Sequence, residues 1–455
     1  MRAALHLILA LLLHLLAALP AGAQQLPADP LHQLVREGLA ANPGLRARAL
    51  AVTRDDAAVD EARGRFLPSA TANARVSALS GTPNLGALIN PAYAALNQLL
   101  GQDAFPTNIN LTLPQRQEAT IRLAQPLFEP RVLEAYRIAR SQRDATAAGR
   151  DTQRRQLVAD IQSAYLQYAR ASRAADIFDA TVPLLDESVR VSERLLANGK
   201  VTPDNVLRAR AEQGAVIQQR DAAHQLADAA RQQLNFLTGR PLDQRLALFT
   251  DSLLGIDRRF AAMTDLSAAQ RRAQRDREEL TVIDRSSDAV LGQQRLARTA
   301  FLPSVNLAVD YGFQGNTIRV GRNSDFAIAS LVLSWNLFNG GQDRARMQQA
   351  SAFGAQLVAQ REDVSRSIAL QVRVAHDAAV VARAGIATAT ARLDAASKTF
   401  ELVQRRFGEG VASQLELLDA RTSLTTAQLN RLITTYDFFQ RVVDLERAAA
   451  LSPLD

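Results

Sequence analysis

The sequence predicts a mainly α-helical chain with a small β part, built as a duplicated unit of strand, strand and long helical hairpin. Three observations predict it. From Arg131 to Asn198 the chain is dominated by alanine, leucine, arginine and glutamine, with Pro183 as its one proline. Four short segments alternate apolar and polar residues with the period of a strand. A set of landmarks also occurs twice in the same order, so the chain is a tandem duplication.

The first element is an export signal. Arg2 supplies a positive start, Leu5 to Leu19 is an apolar run, Pro20 breaks it, and Ala21-Gly22-Ala23 forms a small-x-small site. This pattern predicts a secretory signal peptide over 1–23, cleaved between Ala23 and Gln24. The run is shorter than the ~20 residues a transmembrane helix needs. No later segment is apolar enough to span a bilayer as a helix, so an exported chain of this kind enters a membrane as strands or binds it peripherally.

The first repeat covers 24–238, with strands expected at about 68–79 and 117–127. Phe66-Leu67-Pro68-Ser69 opens it and recurs as Phe301-Leu302-Pro303-Ser304, an offset of 235 positions. Leu123, Leu127 and Phe128 recur as Leu333, Leu337 and Phe338 at an offset of 210. The difference is a 25-residue insertion between the two strands of the first copy. Pro68 and Pro303 mark helix–strand junctions. Ala70, Ala72, Ala74 and Val76 alternate with Thr71, Asn73 and Arg75. In the second repeat, 265–450, Val305, Leu307, Val309, Tyr311 and Phe313 alternate with Asn306, Asp310 and Gln314. The strands of that copy are expected at about 303–314 and 326–337. One apolar and one polar face suit a strand between lipid and a watery lumen, and equally a soluble hairpin with one wet face.

The remainder reads as helix. The stretch after Arg131 reaches ~100 Å at 1.5 Å per residue, and Pro183 is expected to kink or open it. After Gly410 the heptad positions Leu415, Leu418, Thr422, Thr425, Leu429, Leu432, Tyr436, Phe439 and Val443 trace a coiled-coil seam. Glycine turns at Asn198-Gly199-Lys200 and Gly408-Glu409-Gly410 reverse the helices, placing hairpin tips near 199 and 410. Residues 239–264 form a connector packed outside the helices, and 451–455 a short tail.

The composition removes whole classes of function. Cysteine is absent, and of five histidines only His32, His224 and His376 follow the leader, with no metal-site spacing. Glycine-rich phosphate loops are missing, so neither a metal, a cofactor nor an enzyme is expected. The net charge of +7 is spread along a chain only 5% aromatic, which argues against a nucleic-acid partner. Two strands per copy make four per chain, and four strands cannot close a barrel. An open edge in lipid leaves backbone groups unpaired at several kcal/mol each, so at least two chains must combine. The residues alone leave dimer, trimer and tetramer open.

The order of these parts resembles the TolC-type outer-membrane efflux protein family. The likeness is carried by the two Phe-Leu-Pro-Ser motifs, Leu127-Phe128, Leu337-Phe338-Asn339-Gly340-Gly341, Leu237-Thr238-Gly239-Arg240-Pro241, and Phe407-Gly408-Glu409-Gly410 leading into Leu417-Leu418-Asp419-Ala420. It extends over about residues 30 to 450. The resemblance implies a homotrimer with a 12-stranded transmembrane β-barrel in the lipid of the outer membrane, continued by a coiled-coil helical barrel in the periplasm. The insertion falls where that architecture places an extracellular loop. Glu416 and Asp419 match an acidic ring at the periplasmic entrance. Asp204, Asn205 and Phe407 match gate contacts at the tips, although Phe407 lacks the hydroxyl of some relatives and Ala412 stands where others have arginine. Those two departures imply a looser or differently held closed state. Gly199, Lys200, Gly408, Gly410 and Ser413 lie on tip surfaces (197–204 and 408–414) that would dock a periplasmic adaptor and, through it, an inner-membrane pump. The implied function is a passive exit duct for small molecules. Type I protein secretion is the alternative, metal-ion efflux comes third, and a structural periplasmic coiled-coil protein is the reading from another class.

Overall fold

The computed structural model describes residues 30–78, 84–111, 117–250, 255–315 and 325–451. Ala23 and Gln24 lie outside these residues. The elements run α1 (Pro30–Ala41), α2 (Pro43–Gly64), β1 (Ser69–Val76), α3 (Gly86–Leu100), β2 (Gln117–Phe128), α4 (Pro130–Ala197) and α5 (Pro203–Thr238). They continue as α6 (Ile256–Ala261), α7 (Leu266–Asp276), α8 (Glu278–Thr299), β3 (Ser304–Gly315), β4 (Asp325–Ser334), α9 (Gln342–Gly408) and α10 (Gln414–Ala448). No described helix is long and apolar enough to cross a membrane. Pro183 stands inside the unbroken α4 of 68 residues.

The chain divides into two compact units, one of 49–149 with 279–363 and one of 1–48, 150–278 and 364–455. Each draws residues from both sequence copies. The duplication is therefore a repeat of sequence, and packing groups its pieces crosswise.

The sheet belongs to the first of these units. Its order is β1-β2-β3-β4, every pair antiparallel, with β1 and β4 at the edges. Cross-strand rows put Ala72, Ile121, Tyr311 and Ala327 on one face and Thr71, Arg122 and Asp310 on the other. The first face is apolar and open, with Ile121 58% and Leu331 68% exposed. On the second, Arg122 holds Asp310 through two bonds of 2.6 and 3.0 Å, and Arg75 reaches Glu118 at 2.7 Å. Pro126 sits within β2 at a register shift between Pro126 and Phe128, where a missing N–H does least damage.

Two details differ from the expected strands. β4 ends at Ser334 rather than near 337 because its partner β3 starts at Ser304, directly after Pro303. Trp335 leaves the ladder and donates its indole N–H to the Phe301 carbonyl at 3.2 Å. The alternation also fails along β4, since Ile328 and Val332 share the face of Asp310 and Asn306.

Each Phe-Leu-Pro-Ser motif makes the same junction. Phe66 and Leu67 donate to the Arg63 and Gly64 carbonyls, and Phe301 and Leu302 donate to those of Arg298 and Thr299. Pro68 and Pro303 each immediately precede their strand. Helices of this unit are joined by Arg295 to Glu134 at 2.8 Å, Arg361 to Asp284 at 2.5 Å, and Thr146 to Asp55 at 2.6 Å.

In the second unit the connector is strapped down by side chains. Asn235 and Arg231 of α5 donate to the Leu242 and Gln244 carbonyls, and Tyr168 of α4 donates to Leu246. The Phe249 N–H donates to the Tyr165 hydroxyl at 2.9 Å, and the two rings stack at 5.2 Å. Arg155 of α4 clamps Glu278, Arg259 pairs with Glu446, and Phe260 meets Phe438 edge-on.

α1 is held by Glu37, which pairs with Arg240 just beyond α5. The Arg240 hydrogen bond is the largest cause that sets the Glu37 carboxyl below its ordinary value of 4.5. A depressed folded value means the contribution to stability is full above about pH 4.5 and disappears as pH falls through the folded value. Glu37→Gln is therefore expected to lower unfolding stability at pH 7 by about 0.5–1 kcal/mol, discounted for partial exposure. The difference should shrink as pH falls below about 4.5, which urea titrations at pH 7 and through the acid range check.

Candidate functional site

The hairpin tips repeat one backbone design. At the first, the Gly199 N–H donates to Leu196 and the Lys200 N–H to Leu195, both at 2.9 Å. At the second, Gly410 donates to Phe407 at 3.0 Å and Val411 to Arg406 at 2.8 Å. This is the Schellman pattern, whose left-handed residue is glycine at φ +65° and +74°. Gly408 does not take part in that way. It is the last helical residue of α9, with φ outside the left-handed region.

The following helix starts are capped differently. Ser413 precedes α10 in extended conformation, and its hydroxyl accepts from the Glu416 N–H at 3.2 Å. Thr202 holds the equivalent place before α5 but caps nothing. Its hydroxyl donates to Asp204 and accepts from the Asn205 amide at 3.1 Å. Asp204 lies 3.9 Å from Arg208. Glu416 and Asp419 are both exposed on α10, and no ion pair to either is present among the described residues. At the duplication offset of 211, Asn205 and Arg208 of the first copy occupy the places of Glu416 and Asp419. Only the second copy therefore presents paired acids on one helical face. Phe407 is half-buried and Ala412 is buried.

One residue of the expected docking surface, 408–414, turns inward instead. Gln414 is buried, and its side-chain amide donates to the Ser192 hydroxyl and, at 3.4 Å, to the Asn205 carbonyl. It stitches the start of α10 to both helices of the first hairpin. Its Oε1 is buried with no partner. Below it Phe178, Val182 and Leu185 of α4, Val216 of α5 and Leu418 of α10 share one apolar core. The hint in the sequence was a polar residue in the place of Pro203, which proline cannot fill as a donor.

Arg421 shows what divergence between the copies leaves behind. Its counterpart Arg210 pairs with Glu193 at 2.7 Å, but Glu193 is replaced by Gln404 in the second copy. Arg421 instead lies over the Phe400 ring at 5.0 Å, with Nη1 buried and unpartnered. Desolvation holds its guanidinium below the usual arginine value.

The described residues contain no group of three or more His, Cys, Asp or Glu side chains able to hold a metal ion. His224 meets Asp179 across the first hairpin at 3.0 Å, and His376 meets the Thr264 carbonyl at 3.1 Å. The arrangement contains charged tips, an apolar sheet face and long paired helices.

Comparison with known proteins bears on this arrangement directly. The family described as outer membrane efflux protein matches residues 34–240 and 269–451. A curated relative, the alkaline protease secretion protein AprF of Pseudomonas aeruginosa, is 24% identical over 327 residues. That alignment spans 70% of this chain and 66% of the relative, just under two thirds of its length. A membrane protein from Pseudomonas aeruginosa shares the fold with a TM-score of 0.76 at 20% identity, over 93% of each chain. The Campylobacter jejuni CmeC outer membrane channel does so with a TM-score of 0.73 at 16% identity, over 92% of this chain and 85% of that one.

Proposed function

This chain belongs to the outer membrane efflux protein family, and on that premise we propose that three copies close their sheets into one barrel and form a passive exit duct. The observation that carries the proposal is the sheet itself. It has four antiparallel strands, two unpaired edges and an exposed apolar face. In lipid both edges must find partners, and three such sheets make a 12-stranded barrel within the known size range. The helical hairpins then extend into the periplasm with both tips at the entrance.

In this reading Glu416 and Asp419 of three chains form a ring that attracts cations and repels anions. Asp204, Asn205 and Phe407 make the contacts that narrow the entrance, and Gln414 fixes the second tip on the first. The tip surfaces around Lys200 and Ser413 dock a periplasmic adaptor, which couples the duct to an inner-membrane pump. Small molecules leave through it, driven by the pump. Protein secretion is the second reading, and the name of the AprF relative favours it.

A photo-cross-linker on Ser413→Cys separates these readings in the native envelope. An adaptor that partners a drug pump is the expected capture. An adaptor that partners a secretion ATPase would transfer the assignment to protein export, and the absence of any adaptor would contradict tip docking.

A further inference from the structure

The insertion carried only by the first copy folds inside out. It joins β1 to β2 at the Val76–Gln117 end of the sheet, opposite the junctions with the long helices. Within it, α3 is followed by a return segment, 102–111, that runs back along the helix. Three asparagines bind the two together, each through two hydrogen bonds. Asn84 Oδ1 accepts from the Gly86 and Leu111 N–H groups, both at 2.9 Å. Asn90 donates to the Ile109 carbonyl at 3.0 Å and accepts from its N–H at 2.9 Å. Asn97, itself buried, does the same with Phe105 at 2.8 and 2.9 Å.

The spacing is geometrically matched. From Asn84 to Asn97 the helical side advances ~20 Å at 1.5 Å per residue. From Leu111 back to Phe105 an extended chain also covers ~20 Å at 3.3 Å per residue. Gly86 belongs to this design, because a Cβ there would stand 1.8 Å from the Ile109 carbonyl oxygen. Tyr93 packs on Phe105 at 5.2 Å beside the brackets.

Asn90 and Asn97 thus face the return segment, whereas the leucines of the helix, with Gln98, face out. Leu88 and Leu99 are each 83% exposed, and Leu85, Leu96 and Leu100 flank them, also exposed. These five leucines span an arc of about 120° at 3.6 residues per turn, broader than the narrow seam one partner helix would cover. Asp103 is the only charged residue from Ser77 to Gln115. A water-facing helix carries its charges outward, whereas in hydrocarbon the backbone must be satisfied internally. The asparagine brackets serve that second requirement at Phe105, Ile109 and Leu111, whose backbone groups they pair.

We propose that α3 lies against the membrane at the helix-distal rim of the barrel, with Leu88, Leu96 and Leu99 in the lipid hydrocarbon. The assignment rests on the barrel reading above, because the helix is tethered to strands whose apolar face meets the same lipid.

The test uses the full chain in vesicles containing brominated phospholipid, with single cysteines carrying a quenchable fluorophore. Leu88→Cys and Leu99→Cys replace exposed side chains and leave the brackets intact. Ile121→Cys marks the apolar face of the sheet and Thr120→Cys the polar face. The expected result is loss of fluorescence at Leu88→Cys and Leu99→Cys as strong as at Ile121→Cys, with Thr120→Cys unquenched. Quenching at Ile121→Cys alone would overturn the proposal while sparing the barrel. Cross-linking between copies through Leu99→Cys would then identify a second copy as the occupant. Absence of quenching at Ile121→Cys would remove the barrel reading, and the placement of α3 with it.

Discussion

Glu416→Ala/Asp419→Ala is expected to abolish most of the cation preference of the duct in planar bilayers. The two carboxylates lie on one face of α10, exposed and without an ion pair among the described residues. In a threefold assembly six such groups share one constriction, and a low-dielectric wall focuses their field. Their removal should bring cation and anion permeabilities to within about twofold of each other, with conductance otherwise retained. The first-copy variant Asp204→Ala supplies the comparison. Asp204 is already near Arg208, so its loss should change selectivity far less. Unaltered selectivity in the double variant would remove the acidic ring from the account.

Arg155→Met is expected to produce the largest loss of stability. Arg155 and Glu278 are both almost fully buried, and the guanidinium reaches the carboxylate at 2.5 and 2.9 Å. Removing the cation strands a buried carboxylate, which costs about 3–5 kcal/mol. Glu278 opens α8, and its pairing ties that helix start to α4. The double variant Arg155→Met/Glu278→Met should recover much of the loss, since no unpaired charge remains. Urea midpoints of the detergent-solubilised protein measure both. A loss below about 1 kcal/mol in the single variant would mean that water or another group neutralises Glu278.

The duplicated plan was legible because its signals are local. Alternation in Ala70 to Val76, glycine at Gly199 and Gly410, and proline before Ser69 and Ser304 each act within a few residues. The two glycine turns repeat the same pair of backbone bonds, although the helix starts that follow them are capped differently. Packing was less legible, since it depends on residues far apart in sequence. Nothing local marks Gln414 as the stitch between the hairpins, or Tyr165 and Asn235 as the straps on the connector. The crosswise units have the same origin, because each long helix contributes to both. β4 misled for another reason, as Ser330 and Ser334 gave a polar period that Ile328 and Val332 interrupt. In the insertion, nothing local marks Asn84, Asn90 and Asn97 as brackets, a role that emerges only with the return segment beside them.

The central claim is that this sheet is one third of a closed barrel. The chain contains no cysteine, so engineered pairs report without background. Ala72→Cys on the β1 edge is combined with single cysteines stepped along β4 from Phe326 to Leu333, and the protein is oxidised in the outer membrane. Closure predicts that one register of β4 yields a covalent species of three chains and nothing larger. Monomer alone in every register, or a ladder that continues past three, would contradict it.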